Sequence, residues 1–179
     1  ILGGSLPIAA GLAYAQKMEK SGGLTVVFIG DGTFGEGVVY ETMNIASKWE
    51  LPLLIVCENN FYAQSTSIKE TLAGDICDRA SAFGINTVQS NTRDWPRLFE
   101  SMTYSFDEVR TTCKPLFHLV DTYRLMAHSK GDDDRALDEI NEYKERDPLN
   151  LIFLNKQNDK EFQKIVSKID NEIDKAVID

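Results

Sequence analysis

Leu24-Thr25-Val26-Val27-Phe28-Ile29-Gly30-Asp31-Gly32 is a short apolar, β-rich run that closes on a glycine turn, with Gly22-Gly23 ahead of it. A run of this kind between turn signals reads as a buried strand. Beyond Gly35-Glu36-Gly37, the segment from Val38 to Trp49 repeats apolar residues at helical spacing through Val39, Met43 and Ala46, and Leu51-Pro52 stops it. Leu53-Leu54-Ile55-Val56-Cys57 is a second buried strand, which ends in Glu58-Asn59-Asn60-Phe61-Tyr62. A strand, helix, strand unit of this length requires parallel strands, so Asp31 and Asn60 emerge on one edge of the sheet. Open α/β sheets bind ligands at that edge. One carboxylate, one amide oxygen and backbone carbonyls are hard oxygen donors, suited to a magnesium ion that keeps phosphate oxygens among its other ligands. The two polar elbows therefore point to a magnesium diphosphate, although Gly-Asp-Gly taken alone also reads as a tight turn capped by its Asp.

The filling between the elbows carries a family resemblance. Gly30-Asp31-Gly32, followed at the next strand end by Glu58-Asn59-Asn60, resembles the thiamine-diphosphate signature. Glu41-Thr42-Met43-Asn44-Ile45-Ala46, Trp49-Glu50-Leu51-Pro52 and Cys57-Glu58-Asn59-Asn60-Phe61-Tyr62-Ala63-Gln64-Ser65-Thr66 are similar to the α subunit of the thiamine-dependent 2-oxo acid dehydrogenases. Transketolase, a cousin, shares Gly-Asp-Gly and the Glu-Gly after it, but its second elbow normally reads Asp-x-Asn without the Asn pair. The resemblance covers residues 1–150 strongly and the last helix only in general pattern.

That resemblance implies an open, mostly parallel sheet with helices on both faces, the thiamine-diphosphate-binding fold. It implies magnesium on the Asp31 and Asn60 side chains and the Tyr62 backbone carbonyl, with Gly32 and Thr33 approaching the diphosphate. The stretch before the Pro7 helix touches the cofactor in such subunits, which implicates Leu2 and Gly4. It further implies decarboxylation of a 2-oxo acid, pyruvate above others, and acyl transfer to a lipoyl acyltransferase. A β subunit would supply the glutamate that activates the cofactor, in an α2β2 assembly, since neither Glu36 nor Glu58 can be given that role. The aromatic and arginine pair of such subunits lies upstream of the sequence at hand, and Ile1-Leu2-Gly3-Gly4 enters a structured element at once, so a piece of a longer protein is expected. A transketolase-like or acetoin-cleaving enzyme, or a non-catalytic member serving as a structural partner, are the other readings.

Composition bounds the rest. The chain has 179 residues, is 42% hydrophobic and 26% charged, which suits one globular domain over residues 1–179. A net charge of −9 without clustered Lys and Arg argues against a nucleic-acid surface. No apolar run reaches membrane-spanning length, and a diphosphate must be held by local charge rather than by the field of the whole molecule. Cys57, Cys77 and Cys113 lack metal-ligand spacing and read as free, mostly buried thiols in a reducing cytoplasm.

In chain order, Leu6 to Ala15 is small and apolar almost all round and reads as a buried helix with Pro7 in its first turn. Helices are also expected over Asp75 to Phe83, closed by Gly84, and over Pro96 to Arg110, with strands at Asn86 to Gln89 and Leu116 to Val120. His118 lies inside the last strand and reads as a core histidine with a local hydrogen bond. His128 follows in a polar loop, Tyr123 to Arg135, and spacing alone makes it a surface residue; the resemblance implies a catalytic His128 that hydrogen-bonds the cofactor diphosphate or the reacting carboxylate. Asp132, Asp133 and Asp134 should then point away, Gly131 giving the backbone its freedom, and Ser129 resembles the phosphorylatable serine of some α subunits. A charged helix over Asp138 to Arg146 is broken by Asp147-Pro148, and a final amphipathic helix runs from Asp159 to Val177 with Phe162, Ile165, Val166, Ile169, Ile173 and Val177 turned inward.

Overall fold

The computed structural model describes residues 2–178, and the chain divides into two compact units, Ile1–Ala136 and Leu137–Asp179. In the first unit the strands β1 (Thr25–Gly30), β2 (Leu53–Asn59), β5 (Asn86–Asn91) and β6 (Leu116–Asp121) form one parallel sheet in the order β1-β2-β6-β5, and β3 (Tyr62–Ala63) pairs antiparallel with β4 (Thr66–Ser67). The helices are α1 (Ser5–Glu19), α2 (Gly37–Lys48), α3 (Ile68–Thr71), α4 (Ile76–Ser81) and α5 (Trp95–Thr112).

Period-two alternation sends each strand to two cores. Val27, Ile29, Ile55, Cys57, Phe117 and Leu119 pack with α1, α2 and α4, while Leu54, Val56, Leu116 and Val120 pack with Leu98, Met102, Phe106 and Val109 of α5. The expected parallel sheet with helices on both faces is what the chain forms. Register places Gly30 opposite Glu58 and Asn59 opposite Asp121, so the three strand ends reach one edge together. Turn chemistry also holds: Asp75 caps α4 through the Cys77 and Asp78 N–H groups, and Gly84 closes it at φ +73°.

Two burial expectations fail. α1 buries only Leu6, Ala9, Ala10 and Ala13, and leaves Ile8 and Leu12 at 68% and 56% exposure. The sheet offers one face to pack against, and small apolar residues all round do not create a second. In the second unit, α6 (Leu137–Glu145), α7 (Pro148–Lys156) and α8 (Lys160–Ile178) are helical, and Asp147-Pro148 starts α7 rather than merely breaking the chain, with Asp147 accepting from the Leu149 N–H. Phe162 and Val166 of α8 are half-buried, and Phe162 meets Phe153 edge-on at 5.3 Å. Ile165, Ile169, Ile173 and Val177 are instead 50–80% exposed, because helical periodicity specifies a stripe but not what covers it. Of the thiols, Cys57 is buried and Cys77 half-buried, its pKa pushed up to about 11 chiefly by burial, whereas Cys113 is exposed.

His118 sits in the sheet with no solvent exposure, bridging Ser105 Oγ at Nδ1 and Ser90 Oγ at Nε2, each at 2.8 Å. Ser105 Oγ donates to the Ser101 carbonyl, so it accepts from Nδ1–H, and Nε2 accepts from Ser90. Burial disfavours the charged ring and lowers its pKa, which leaves Nε2 an acceptor. Below the ordinary histidine pKa of about 6.5, the unfolded chain binds a proton that the folded chain refuses, so stability falls with pH by at most about 1.4 kcal/mol per pH unit. Urea unfolding at pH 7.5, 6.5 and 5.5 should show this loss setting in below pH 6.5, and His118→Gln should lose less over the same interval.

Candidate functional site

The first elbow is a 3-10 turn over Asp31–Gly35, entered from the extended Gly30. It turns Asp31 inward to 3% exposure. Asp31 Oδ1 accepts the Gly32 N–H at 2.7 Å, and Oδ2 is buried without any partner. Burial raises the carboxyl pKa, opposed by the backbone N–H groups of Gly32, Phe61 and Tyr62, so the second elbow already reaches the first. Gly32 makes that approach possible: a Cβ there would stand 2.7 Å from the Ala63 Cβ. Thr33 follows, also 3% exposed.

A pin beneath the turn holds it. Tyr40 Oη donates to the Phe34 carbonyl at 2.6 Å, and Arg79 Nη1 donates to the same hydroxyl while Nη2 donates to the Ala73 carbonyl. The Arg79 guanidinium lies 5.7 Å from the Tyr40 ring centroid, and Phe34 packs edge-on against Phe117 at 5.8 Å.

In the second elbow the two asparagines part. Asn59 is 7% exposed and turns into the sheet edge, where Nδ2 donates to Asp121 Oδ1 at 2.8 Å. Asn60 stays half-buried, its Oδ1 accepting the Tyr62 N–H at 3.0 Å and keeping a second lone pair. Phe61 and Gln64 have φ values of +69° and +58°, a left-handed geometry that costs on the order of 1–2 kcal/mol for such residues. The β3–β4 hairpin and the Ile68 N–H bond to the Phe61 carbonyl at 2.9 Å impose it.

The Leu2–Gly4 turn is tied to the same region, because Glu36 Oε1 accepts the Gly3 N–H at 3.0 Å. A Cβ on Gly3 would meet Glu36 Oε2 at 2.6 Å, so a side chain there would push the Glu36 carboxylate aside. Gly4 is half-buried with free space around it, while the Leu2 side chain is 78% exposed. His128 is exposed in its loop. The loop is anchored at its two ends: Arg124 Nη2 donates to the Gln64 carbonyl at 2.6 Å, and Arg135 lies 5.5 and 5.2 Å from the Tyr62 and Tyr123 ring centroids. Arg135 also donates to the Arg124 and Met126 carbonyls and pairs with Asp133 at 2.7 Å, which holds the Asp133 carboxyl at about 2. Asp132 folds back on Ser129, accepting its N–H at 2.9 Å and its hydroxyl at 2.7 Å, and those bonds, with a smaller contribution from His128, keep its carboxyl low. Of the three aspartates expected to point outward, Asp132 and Asp133 are thus engaged within the loop and Asp134 is exposed. Gly131 has the positive φ, +84°, that the turn uses.

The structure therefore brings together Asp31, Gly32, Thr33, Asn60 and Tyr62, with Gly4 linked through Gly3 and Glu36. It leaves the Leu2 side chain and His128 exposed. Among the described residues no three His, Cys, Asp or Glu side chains converge on a point, so a cation at Asp31 would rely on one carboxylate, amide and carbonyl oxygens and those of its ligand. The orphaned Asp31 Oδ2 fits that donor set.

The dehydrogenase E1 component family matches the sequence over residues 1–179. The chain belongs to this family. Relatives of this E1-family chain include the pyruvate dehydrogenase E1 component subunit alpha of Rickettsia bellii (strain RML369-C), 36% identical over 155 residues that make up 85% of the chain and 48% of the relative. The protein of the same description from Rickettsia typhi (strain Wilmington) is 33% identical over 100% of the chain and 57% of its own length. The 2-oxoisovalerate dehydrogenase subunit alpha 1, mitochondrial, of Arabidopsis thaliana is 36% identical over 81% of the chain and 32% of its length. The chain thus spans about half the length of the curated relatives it matches first. Among solved structures, transketolase from Leishmania mexicana superposes with a TM-score of 0.57 at 22% identity, over 68% of this chain and 19% of that one, a likeness of fold.

Reading the sequence alone missed Tyr40, Arg79, Asn59, Asp121 and Arg135. Asn59 carried a signal in the Asn pair, whose members the register sends to different partners. Tyr40 and Arg79 carried none, since their contact spans 39 positions. Tyr40→Phe keeps the ring and removes the bond to the Phe34 carbonyl, which is worth about 1 kcal/mol. Amide exchange at Thr33 to Glu36 should then quicken by about fivefold while the strands β2 and β6 keep their protection, as hydrogen-exchange mass spectrometry can read.

Proposed function

We propose that the chain is the diphosphate-binding part of the α subunit of a thiamine-diphosphate-dependent 2-oxo acid dehydrogenase, with pyruvate as substrate. The buried Asp31 Oδ2 without a partner, set between two elbows that already touch, carries this reading. A buried carboxylate oxygen that accepts nothing is costly, and a divalent cation supplies what it lacks. Asp31, the Asn60 side chain and the Tyr62 carbonyl would hold magnesium, and Gly32, Thr33 and Gly4 would border the diphosphate. When bound, thiamine diphosphate supplies the carbanion chemistry that lets a 2-oxo acid lose carbon dioxide.

The chain's own residues bind and orient. Diphosphate at about −3, Asp31 at −1 and magnesium at +2 leave about two negative charges. His128 is the side chain of the anchored loop that would donate a hydrogen bond to the diphosphate, with backbone N–H groups at the turn. Ser129, bonded to Asp132, would lose that turn on gaining a phosphate, whose added charge of about −1.5 to −2 opposes docking.

Neither Glu36 nor Glu58 is placed to activate the cofactor. Glu36 is committed to the Gly3 N–H, and Glu58 alternates onto the α5 face of the sheet. A β subunit would therefore complete the site in an α2β2 assembly, passing the acyl group to a lipoyl acyltransferase. Free cysteines suit a reducing cytoplasm.

Asp31→Asn keeps the shape and removes the charge. In calorimetric titrations of the chain with a cognate β subunit, magnesium-dependent thiamine diphosphate affinity should fall by at least about a hundredfold, with the far-UV spectrum unchanged. Unaltered affinity would remove Asp31 from the metal site. Light scattering should show the chain entering a complex with that subunit, and full decarboxylase activity from the chain alone as a monomer would overturn the α-subunit reading.

A further inference from the structure

A cavity opens at the carboxyl edge of the sheet, over β2, β6 and β5, whereas Asp31 follows β1. It holds about 320 Å3, inside the range of small-molecule sites. Ile68, Leu72 and Leu119 give it apolar walls, and Asp121, Asn59 and Gln89 give it a polar end. The Asp121 carboxylate accepts only neutral donors, Asn59 Nδ2 at 2.8 Å and Gln89 Nε2 at 3.1 Å, and among the described residues it pairs with no Lys or Arg. Those amides fix the carboxylate and leave its remaining lone pairs unused. Asn59 Oδ1, on a side chain 7% exposed, accepts nothing either. The polar end is therefore rich in acceptors, and Lys69 is the one cationic side chain among the cavity's lining residues.

Charge narrows the class. Asp75, Asp121 and Lys69 are the charged residues lining the cavity, so its walls carry −2 + 1 = −1. A monocation brings the sum to zero, a zwitterion leaves it at −1, and an anion takes it to −2. We propose that this cavity binds a small primary ammonium ion with a short branched apolar body, the ammonium on Asp121 and the body against Ile68, Leu72 and Leu119. Asn59 and Phe61 line the cavity and alternate along the chain with Asn60 and Tyr62, so an occupant bears on the second elbow from behind. The site requires neither magnesium nor thiamine diphosphate, and its test stands apart from the cofactor reading.

Saturation-transfer NMR titrations of the full chain, without magnesium or thiamine diphosphate, compare 3-methylbutylammonium with the neutral 3-methylbutanol and zwitterionic leucine. The ammonium should bind saturably and at least about tenfold more tightly than the other two, as a charge-assisted hydrogen bond provides. Asp121→Asn should erase that margin, and Leu72→Trp, which fills the cavity and leaves Asp121 intact, should block all three probes, with circular dichroism verifying the fold. Should Asp121→Asn fail to fold, Leu72→Trp decides. Equal affinity for the alcohol or for leucine, or ammonium binding that survives Leu72→Trp, overturns the proposal.

Discussion

A carboxylate held out of water with one oxygen unpaired is the constraint on which the rest of this chain depends. Asp31 is tolerated in that state because Oδ1 accepts the Gly32 N–H and the nearby Phe61 and Tyr62 N–H groups, from a different strand end, oppose the cost of burial. Their convergence requires that β1 and β2 be paired in parallel and in register, so that Gly30 stands opposite Glu58. It also requires that Gly32 carry no side chain, since Ala63 occupies that space. Burial still raises the carboxyl pKa, so the buried charge is incompletely compensated by the N–H groups around it.

The scaffold around Asp31 is braced from three directions. Tyr40 and Arg79 secure the Phe34 carbonyl from below, Glu36 draws in the Gly3 turn, and Arg135 closes on Tyr62 and Tyr123. Each brace ends on a backbone group or a ring rather than on the carboxylate. None of the braces therefore uses the Asp31 carboxylate, and the loops that present it are fixed by contacts that a bound ligand need not displace. The left-handed Phe61 and Gln64 are the strain stored in the arrangement, imposed by a hairpin of two-residue strands.

Further along the same edge, Asn59, Asp121 and Gln89 join β2, β6 and β5 side by side, and His118 joins β5 and β6 to α5 deeper in the sheet. Polar links of this kind fix which strand neighbours which, because a shift of register would leave several buried polar groups unpaired at once. They tie β2, β6 and β5 together beneath the second elbow.

Sequence by itself determined the strand, turn, helix, strand unit, the parallel sheet with helices on both faces and the two elbows at one edge. Those follow from periodicity and turn chemistry, which act over a few residues. Glycine and asparagine at the elbows were legible for the same reason, as residues whose backbone needs are local. Tertiary structure alone decided that Asn59 turns to Asp121, 62 positions away, while Asn60 stays at the elbow, and that Tyr40 and Arg79 brace the turn. It also decided that Ile8 and Leu12 of α1, and the isoleucines of α8, lie exposed. A helical period states which residues share a face; whether another surface covers that face depends on elements far away in the chain, and no local pattern records it.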